Sequence, residues 1–343
     1  MPEHTVGVVL FQLGGPDSPE AIEPFLYNLF CDPDIIDFPL GRWAREPLAR
    51  LVASKRAKHV AHHYGSIGGR SPLRELTGLQ ARALETRLRD TLDARVAVAM
   101  RYWHPFTAEA IADLEAAGAQ ELVLLPLYPQ YSKTTTGSSL NEWSRRYTPR
   151  PGVSVHVVRQ YHDHPMYIRS LVEKIDESLA RFPTAAPVYL LFSAHGIPMK
   201  VVEKGDPYVA QIEETTRLVV QTGGWAHPYR VCYQSKVGSG RWVQPTLIGS
   251  IRELAAQGVR NLLVAPVSFV SDHVETLSEI NIEAREEAER RGIAQFEMRP
   301  ALNDSPLFIA ALADLVLGAL GRAGEPRADR AASAAGFGLR ARA

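Results

Sequence analysis

Two cysteines, Cys31 and Cys232, are all that 343 residues contain, and neither has a CxxC neighbour. That excludes a disulfide framework and a four-cysteine metal cluster. No apolar run reaches the roughly 18 residues of a membrane span. No signal peptide is visible, because Met1-Pro-Glu-His leads directly into a strand-like run. Charge of one sign is missing too: Lys plus Arg and Asp plus Glu number 38 each, so the sequence carries no electrostatic footprint for nucleic acid. Although Val6–Phe11 ends at Gly14-Gly15-Pro16, neither G-x-G-x-x-G nor G-K-[ST] occurs, which weakens a nucleotide-binding reading. A serine hydrolase is disfavoured by the lack of a G-x-S-x-G elbow, and a zincin by the lack of H-E-x-x-H. The expectation is a soluble, cytoplasmic chain with no nucleic-acid partner.

What the sequence does contain is an alternation of short apolar runs and helical patterns. Val6–Phe11, Arg95–Met100, Glu121–Leu127 and Val153–Val158 read as buried strands, and Val188–Phe192, Tyr229–Tyr233 and Asn261–Val267 form a second set. Helical spacing separates them, as over Thr107–Ala117 and from about Tyr167 to Arg181. This is the signature of βαβ units and parallel sheets. The length favours two domains. The fold class expected is α/β with two Rossmann-like halves, over residues 1–165 and 166–320, followed by a disordered tail over 321–343. Pro39–Tyr64 mixes Trp43 and aliphatic residues with Arg42, Arg45, Arg50, Lys55, Arg56 and Lys58. Such a basic amphipathic segment suits a wet helix face, a membrane surface or the mouth of a site for a hydrophobic ligand.

Ligands of parallel α/β sheets bind beyond the carboxyl ends of the strands, so the loops there hold the candidate residues. After 261–267 comes Ser271-Asp272-His273-Val274-Glu275, with Ser271 or Asp272 placed to cap a helix and Glu275 placed for a capping box. Glu275, Glu279 and Glu283 recur every four residues and would line one helix face, about 6 Å apart along its axis. Like charges at that spacing repel, so the line asks for a reason. His273 with Glu275 suits a borderline divalent ion such as iron(II) or zinc, or else is a capped, solvated face. After 188–192 comes Ser193-Ala-His195-Gly-Ile-Pro198, in which His195 is either structural or reactive. Tyr128–Ser139 is a hydroxyl-rich loop that binds carboxylates or caps a helix. In Gln234–Trp242, two glycines let Trp242 lie against something flat. With Arg101, Lys236 and Arg241, these loops fit a large flat aromatic ligand bearing carboxylates, handled beside a metal ion.

At these residues the chain resembles the ferrochelatase family. The motifs are LFSAHGIPMKVVEKGDPY (Leu191–Tyr208), YQSKVGSGRWVQP (Tyr233–Pro245), FVSDHVETLSEI (Phe269–Ile280) and YPQYSKTTTGSS (Tyr128–Ser139). LGGP (Leu13–Pro16), YGSIGGRSPL (Tyr64–Leu73) and RYWHP (Arg101–Pro105) join them, so the resemblance runs through residues 6–318 in order. It implies the bilobal chelatase fold and insertion of Fe(II) into protoporphyrin IX, with release of two protons, to form protohaem. By that resemblance His195 and Glu275 are the essential pair, as catalytic groups and metal ligands. Asp272 and His273 support the metal or its entry, and Glu279 and Glu283 continue an ion or proton path. Leu13, Tyr64, Arg101, Trp242 and Phe269 line the porphyrin pocket. Animal members carry an iron–sulfur cluster on a C-terminal cysteine set plus one internal cysteine; here that internal position is Lys133 and the tail has no cysteine, so no cluster is expected.

Iron is therefore expected as substrate, with no permanently bound cofactor. Porphyrin and ferrous iron are the expected partners of a monomer, with peripheral membrane contact through 39–64. The rivals are a coproporphyrin ferrochelatase, another tetrapyrrole metal chelatase, and a haem or porphyrin carrier without catalysis. A carrier has no use for an acidic path.

Overall fold

The computed structural model describes residues 5–36, 42–183, 186–235 and 240–322. Expectations for Lys236, for 39–41 and for the tail from 323 onward lie outside the described residues. In chain order the strands are β1 (Val6–Gln12), β2 (Ala94–Met100), β3 (Glu121–Pro126), β4 (Ser154–Val157), β5 (Tyr189–His195), β6 (Tyr229–Gln234), β7 (Asn261–Pro266) and β8 (Gln295–Met298). They form two four-stranded sheets, ordered β2-β1-β3-β4 and β6-β5-β7-β8. Every pairing is parallel. The same order thus occurs twice, without a repeat in the sequence.

The central strands explain why the apolar runs are continuous. β1 is buried at all seven positions, as a strand covered on both faces must be. Gly7 permits this covering: a Cβ there would stand 2.6 Å from Leu122 Cδ2. In β1 the Val8 position pairs with Val96 on one side and Val123 on the other. In the second sheet β5 takes the central place, with Phe192 facing Val231 and Ala265.

The two sheets share one apolar core. Leu84 and Leu88 of the helix Leu73–Leu88 belong to the same buried cluster as Leu190, Phe192 and Leu263 of the second sheet. The helix Pro306–Ala319 packs on Leu73–Leu88 and β3 as well as on the helix Pro165–Leu179. Its Phe308 is fully buried, which stabilises by about 1.5–3 kcal/mol; truncation to Ala costs about 3–5 kcal/mol.

Two local features depart from expectation. β8 is an additional strand, only four residues long, at the edge of the second sheet. The segment after Asp272 is not an α-helix with a capping box. Glu275–Ala284 is a π-helix continuing into the α-helix Arg285–Arg290, and Val274, without a side-chain cap, precedes it. Thr276 does what was expected of Glu275: its hydroxyl accepts from the His273 N–H and donates to Asp272 Oδ1. Among the described residues no helix is long and apolar enough to cross a membrane. The 25-residue helix Arg42–Ser66 is too charged for that.

Candidate active site

A cavity of about 580 Å³ opens where the strand ends of both sheets converge. Leu13 and Gly14 follow β1, His195 ends β5, Gln234 and Ser235 close β6, and His273 to Glu275 lie beyond β7. One wall is apolar: Leu13 with Phe25, Leu26 and Leu29 from the helix Ile22–Cys31. The second half of the chain contributes Trp242, Val243, Leu247 and Ile248 to the lining. Arg56, His59, His63 and Tyr64 of the helix Arg42–Ser66 close a third side, so the basic segment does form a mouth. One end brings together His195, His273 and Glu275.

At that end His195 Nε2 stands 3.8 Å from Glu275 Oε1. The His195 backbone N–H donates to Ser268 Oγ, which fixes the strand end on which the imidazole is mounted. Separation of 3.8 Å is less than twice a metal–ligand distance of about 2.1 Å, so a single divalent ion can touch both groups. Glu275 also faces His273, whose Nε2 lies 3.7 Å from Oε2. That is beyond hydrogen-bond reach, and Glu275 Oε2 is a buried oxygen without a hydrogen-bond partner among the described residues. Such an orphan costs about 1–3 kcal/mol, and a cation or proton would satisfy it.

The ring of His273 has a defined tautomer when neutral. Nδ1 is 3.1 Å from the Ser271 carbonyl, which can only accept, so Nδ1 carries a proton. Burial works to lower its pKa, but the facing Glu275 and the Ser271 carbonyl outweigh it and raise the group. Burial likewise works to raise Glu275, but His195 and then His273 hold its carboxyl below the usual range. The two groups face each other across 3.7 Å at the wall of the cavity.

From Glu275 the carboxylates continue along the π-helix. Its N–H groups reach carbonyls five residues back, so each turn is wider and shorter than an α-turn. Glu279 accepts a 2.5 Å hydrogen bond from Ser235. Burial first, then the Glu275 charge, pushes the Glu279 carboxyl up to about 8. Glu283 is nearer the outside and pairs with His63 Nδ1 at 2.7 Å. Tyr64 is 3 % exposed and lines the cavity. Its phenol is raised by burial and by the charges of Glu275 and Glu279.

Not every expected residue reaches the cavity. Leu13, Tyr64, Trp242, His195, His273, Glu275, Glu279 and Glu283 do line it; Arg101, Phe269 and Asp272 do not. The Arg101 guanidinium pairs with buried Asp32 at 3.1 Å and donates to Ser138 Oγ, behind the apolar wall. The Phe269 ring stands edge-on to His195 and His273, at 6.4 and 4.4 Å, and props both imidazoles. Asp272 acts as a buckle: it accepts from Thr276, Ala301 N–H and Asn303 Nδ2, tying the loop to the segment after β8. Trp242 lies against Gly196, where a Cβ would meet Gln234 O at 2.9 Å and the indole at 3.4 Å. Gly196, and not only the glycines beside the indole in sequence, makes its place. The hydroxyl-rich loop caps its own π-turn, Lys133–Gly137, through Ser132, and is bound to Asp206. Gln234, Ser235, His59 and His63 are lining residues that the motifs did not single out. His59 and His63 fall within the basic amphipathic segment, and their spacing with His62 is a signal that could have found them.

The profile of the ferrochelatase family matches residues 5–320. The chain belongs to the ferrochelatase family. Among curated relatives, the ferrochelatase of Nostoc sp. strain PCC 7120 is 47% identical over 322 residues, covering 92% of this chain and 83% of its own. The ferrochelatase of Synechocystis sp. strain PCC 6803 is 45% identical over 320 residues, covering 92% and 82%. Among solved structures, a multi-domain Deinococcus radiodurans protein described as similar to chelatases gives a TM-score of 0.54 at 14% identity, over 94% of this chain. This chain spans 56% of that protein. The sirohydrochlorin chelatase SirB of Bacillus subtilis gives a TM-score of 0.50 at 8% identity, covering 93% of this chain and 96% of its own. At such identities the likeness concerns the fold alone: two parallel sheets with a cleft between them, as in chelatases.

Proposed function

We propose that this ferrochelatase-family enzyme inserts Fe(II) into protoporphyrin IX, releasing two protons and giving protohaem. The observation that carries the reading is the 3.8 Å approach of His195 Nε2 to Glu275 Oε1 at the polar end of an apolar slot. Insertion must remove two pyrrole protons, strip water from the ion and bend a flat ring. A neutral imidazole suits the first task near neutral pH. His195 takes a pyrrole proton and passes it toward Glu275, from which Glu279 and Glu283 lead outward. Glu275, held ionised by the two histidines, offers the entering cation its orphan oxygen. Walls at Leu13 and Trp242 press on opposite faces of the ring, favouring a bent geometry over the planar ground state.

The apolar edge supports protoporphyrin over coproporphyrin. Protoporphyrin bears two carboxylates and two vinyl groups, whereas coproporphyrin bears four carboxylates. Leu13, Phe25, Leu26 and Leu29 give charged groups no partner on that wall, while Arg56 at the mouth can pair with a carboxylate. With Cys31 and Cys232 as the only cysteines, the enzyme works without an iron–sulfur cluster. A cytoplasmic enzyme touching a membrane through the helix Arg42–Ser66 is supported by Leu51, 53% exposed among the helix's basic residues.

The test is a time course of Fe(II)-dependent loss of metal-free porphyrin fluorescence, with proto- and coproporphyrin side by side. Multiple turnovers with protoporphyrin, lost in His195→Ala, are expected. Loss limited to one equivalent would make the protein a carrier, and faster turnover with coproporphyrin would reverse the substrate assignment.

A further inference from the structure

Ser235 occupies an uncommon backbone state for a residue with a side chain. It follows β6 directly and has φ of 63°, the left-handed region in which glycine and asparagine are at ease and other residues are strained. Strain of this kind persists where the surroundings demand it, and it gathers at working sites. What the conformation achieves is visible in the contacts. The hydroxyl is turned onto the π-helix and donates to Glu279 Oε2 at 2.5 Å. The neighbouring Gln234, still in the extended strand, is anchored separately: its Oε1 accepts from Ser193 Oγ at 2.6 Å and its amide points to the Glu275 carbonyl. Two successive residues at the end of one strand therefore grip the π-helix at consecutive turns. Gln234 holds main chain and Ser235 holds a side chain. Both line the cavity.

We infer that Ser235 is a positioning residue for iron insertion, fixing the middle carboxylate of the acidic line, Glu279, toward the cavity at the cost of a strained backbone. The inference rests on the proposed chelatase reading of the same site. A hydroxyl bonded to a buried carboxyl group selects one rotamer of that side chain and leaves neither group without a partner. Without it Glu279 has a choice of rotamers, and only some of them keep its carboxyl group between Glu275 and Glu283. His273, Tyr64 and His63 also face this stretch of the cavity, yet the only hydrogen bond to Glu279 given by the described residues is that of Ser235.

Three variants test this in the full chain: S235A keeps the strain and loses the hydroxyl, S235G loses both, and S235N tolerates the left-handed state while restoring a donor. The readouts are kcat for Fe(II) insertion, the dissociation constant of metal-free porphyrin from fluorescence, and Tm. S235A and S235G are expected to lose about tenfold in kcat, the value of one such hydrogen bond, with porphyrin affinity changed less than about twofold. S235N recovers most of the rate. S235G is expected to melt about 1–2 °C above S235A, since the two differ only in backbone strain. Unchanged kcat in S235A and S235G overturns the inference, as does an affinity loss as large as the rate loss, which would make the hydroxyl a porphyrin contact. A wild-type protein without turnover removes the chelatase reading itself, and the Tm order of the two variants still reports on the strain.

Discussion

His63 Nδ1 stands 2.7 Å from Glu283 Oε1, closing the outer end of the carboxylate line with an imidazole from the opposite half of the chain. Ser278 reinforces the meeting, since its hydroxyl lies 3.3 Å from both groups. The pair is a quarter to a half exposed, so it contributes under about 1 kcal/mol after solvent screening. Replacing His63 with Ala is therefore expected to leave Tm within about 2 °C of wild type. Turnover should fall more than stability, because Glu283 loses the only imidazole within reach among the described residues. Melting curves and initial rates on one preparation separate the two effects; equal rates would reduce the pair to a surface contact.

The raised pKa of Glu279 makes stability depend on pH in a predictable sense. Its carboxyl ionises at about 8 in the fold against an ordinary 4.5. Between those values the folded chain keeps a proton that the unfolded chain has released. Stability contributed by this site is thus fully present below pH 4.5 and lost as pH rises toward 8. Tm of wild type relative to Glu279→Gln should decline across that window and level off above it. A constant difference would show that Glu279 ionises normally. The same variant should slow turnover more than it weakens porphyrin binding.

Asp272 gives a prediction about architecture. Its carboxylate accepts from Thr276, Ala301 and Asn303, and Asp272→Ala leaves those donors without their acceptor. A loss of about 2–4 kcal/mol in urea unfolding is expected, with kcat reduced because the loop carries His273 and Glu275. Wild-type unfolding would mean that water replaces the carboxylate at no cost.

Gly196→Ala probes the wall that carries Trp242. The new methyl meets Gln234 O at 2.9 Å and the Trp242 ring at 3.4 Å, so the backbone must give way and the indole with it. Porphyrin affinity should fall about tenfold, or about 1.4 kcal/mol, as read by fluorescence titration. Unaltered affinity would detach Trp242 from porphyrin binding.

Much of this site was legible in the sequence for a physical reason. Parallel strands buried on both faces must be apolar throughout, so Val6–Phe11 and Asn261–Val267 announced themselves, and the loops after them were the places to look. What escaped was everything decided by contacts distant in sequence. Arg101 reads as a ligand-binding cation until Asp32 is found beneath it. No residue type encodes hydrogen bonds to the fifth residue back, so the π-helix at Glu275–Ala284 looked α-helical. Nothing in the string around Ser235 announces a positive φ. β8, with Glu297 in only four residues, is too short for alternation to register.

The position of the helix Pro306–Ala319 bears on how the protein is made. Pro306–Ala319 covers Leu73–Leu88 and touches β3, although both are translated long before it. While the ribosome is still at work, the early sheet has its strands but not this cover, and greasy side chains such as Leu84 and Leu88 wait for that helix to emerge. A nascent or truncated product ending ahead of Pro306 should thus be a client for chaperones, and emergence of this helix should be the step that releases it.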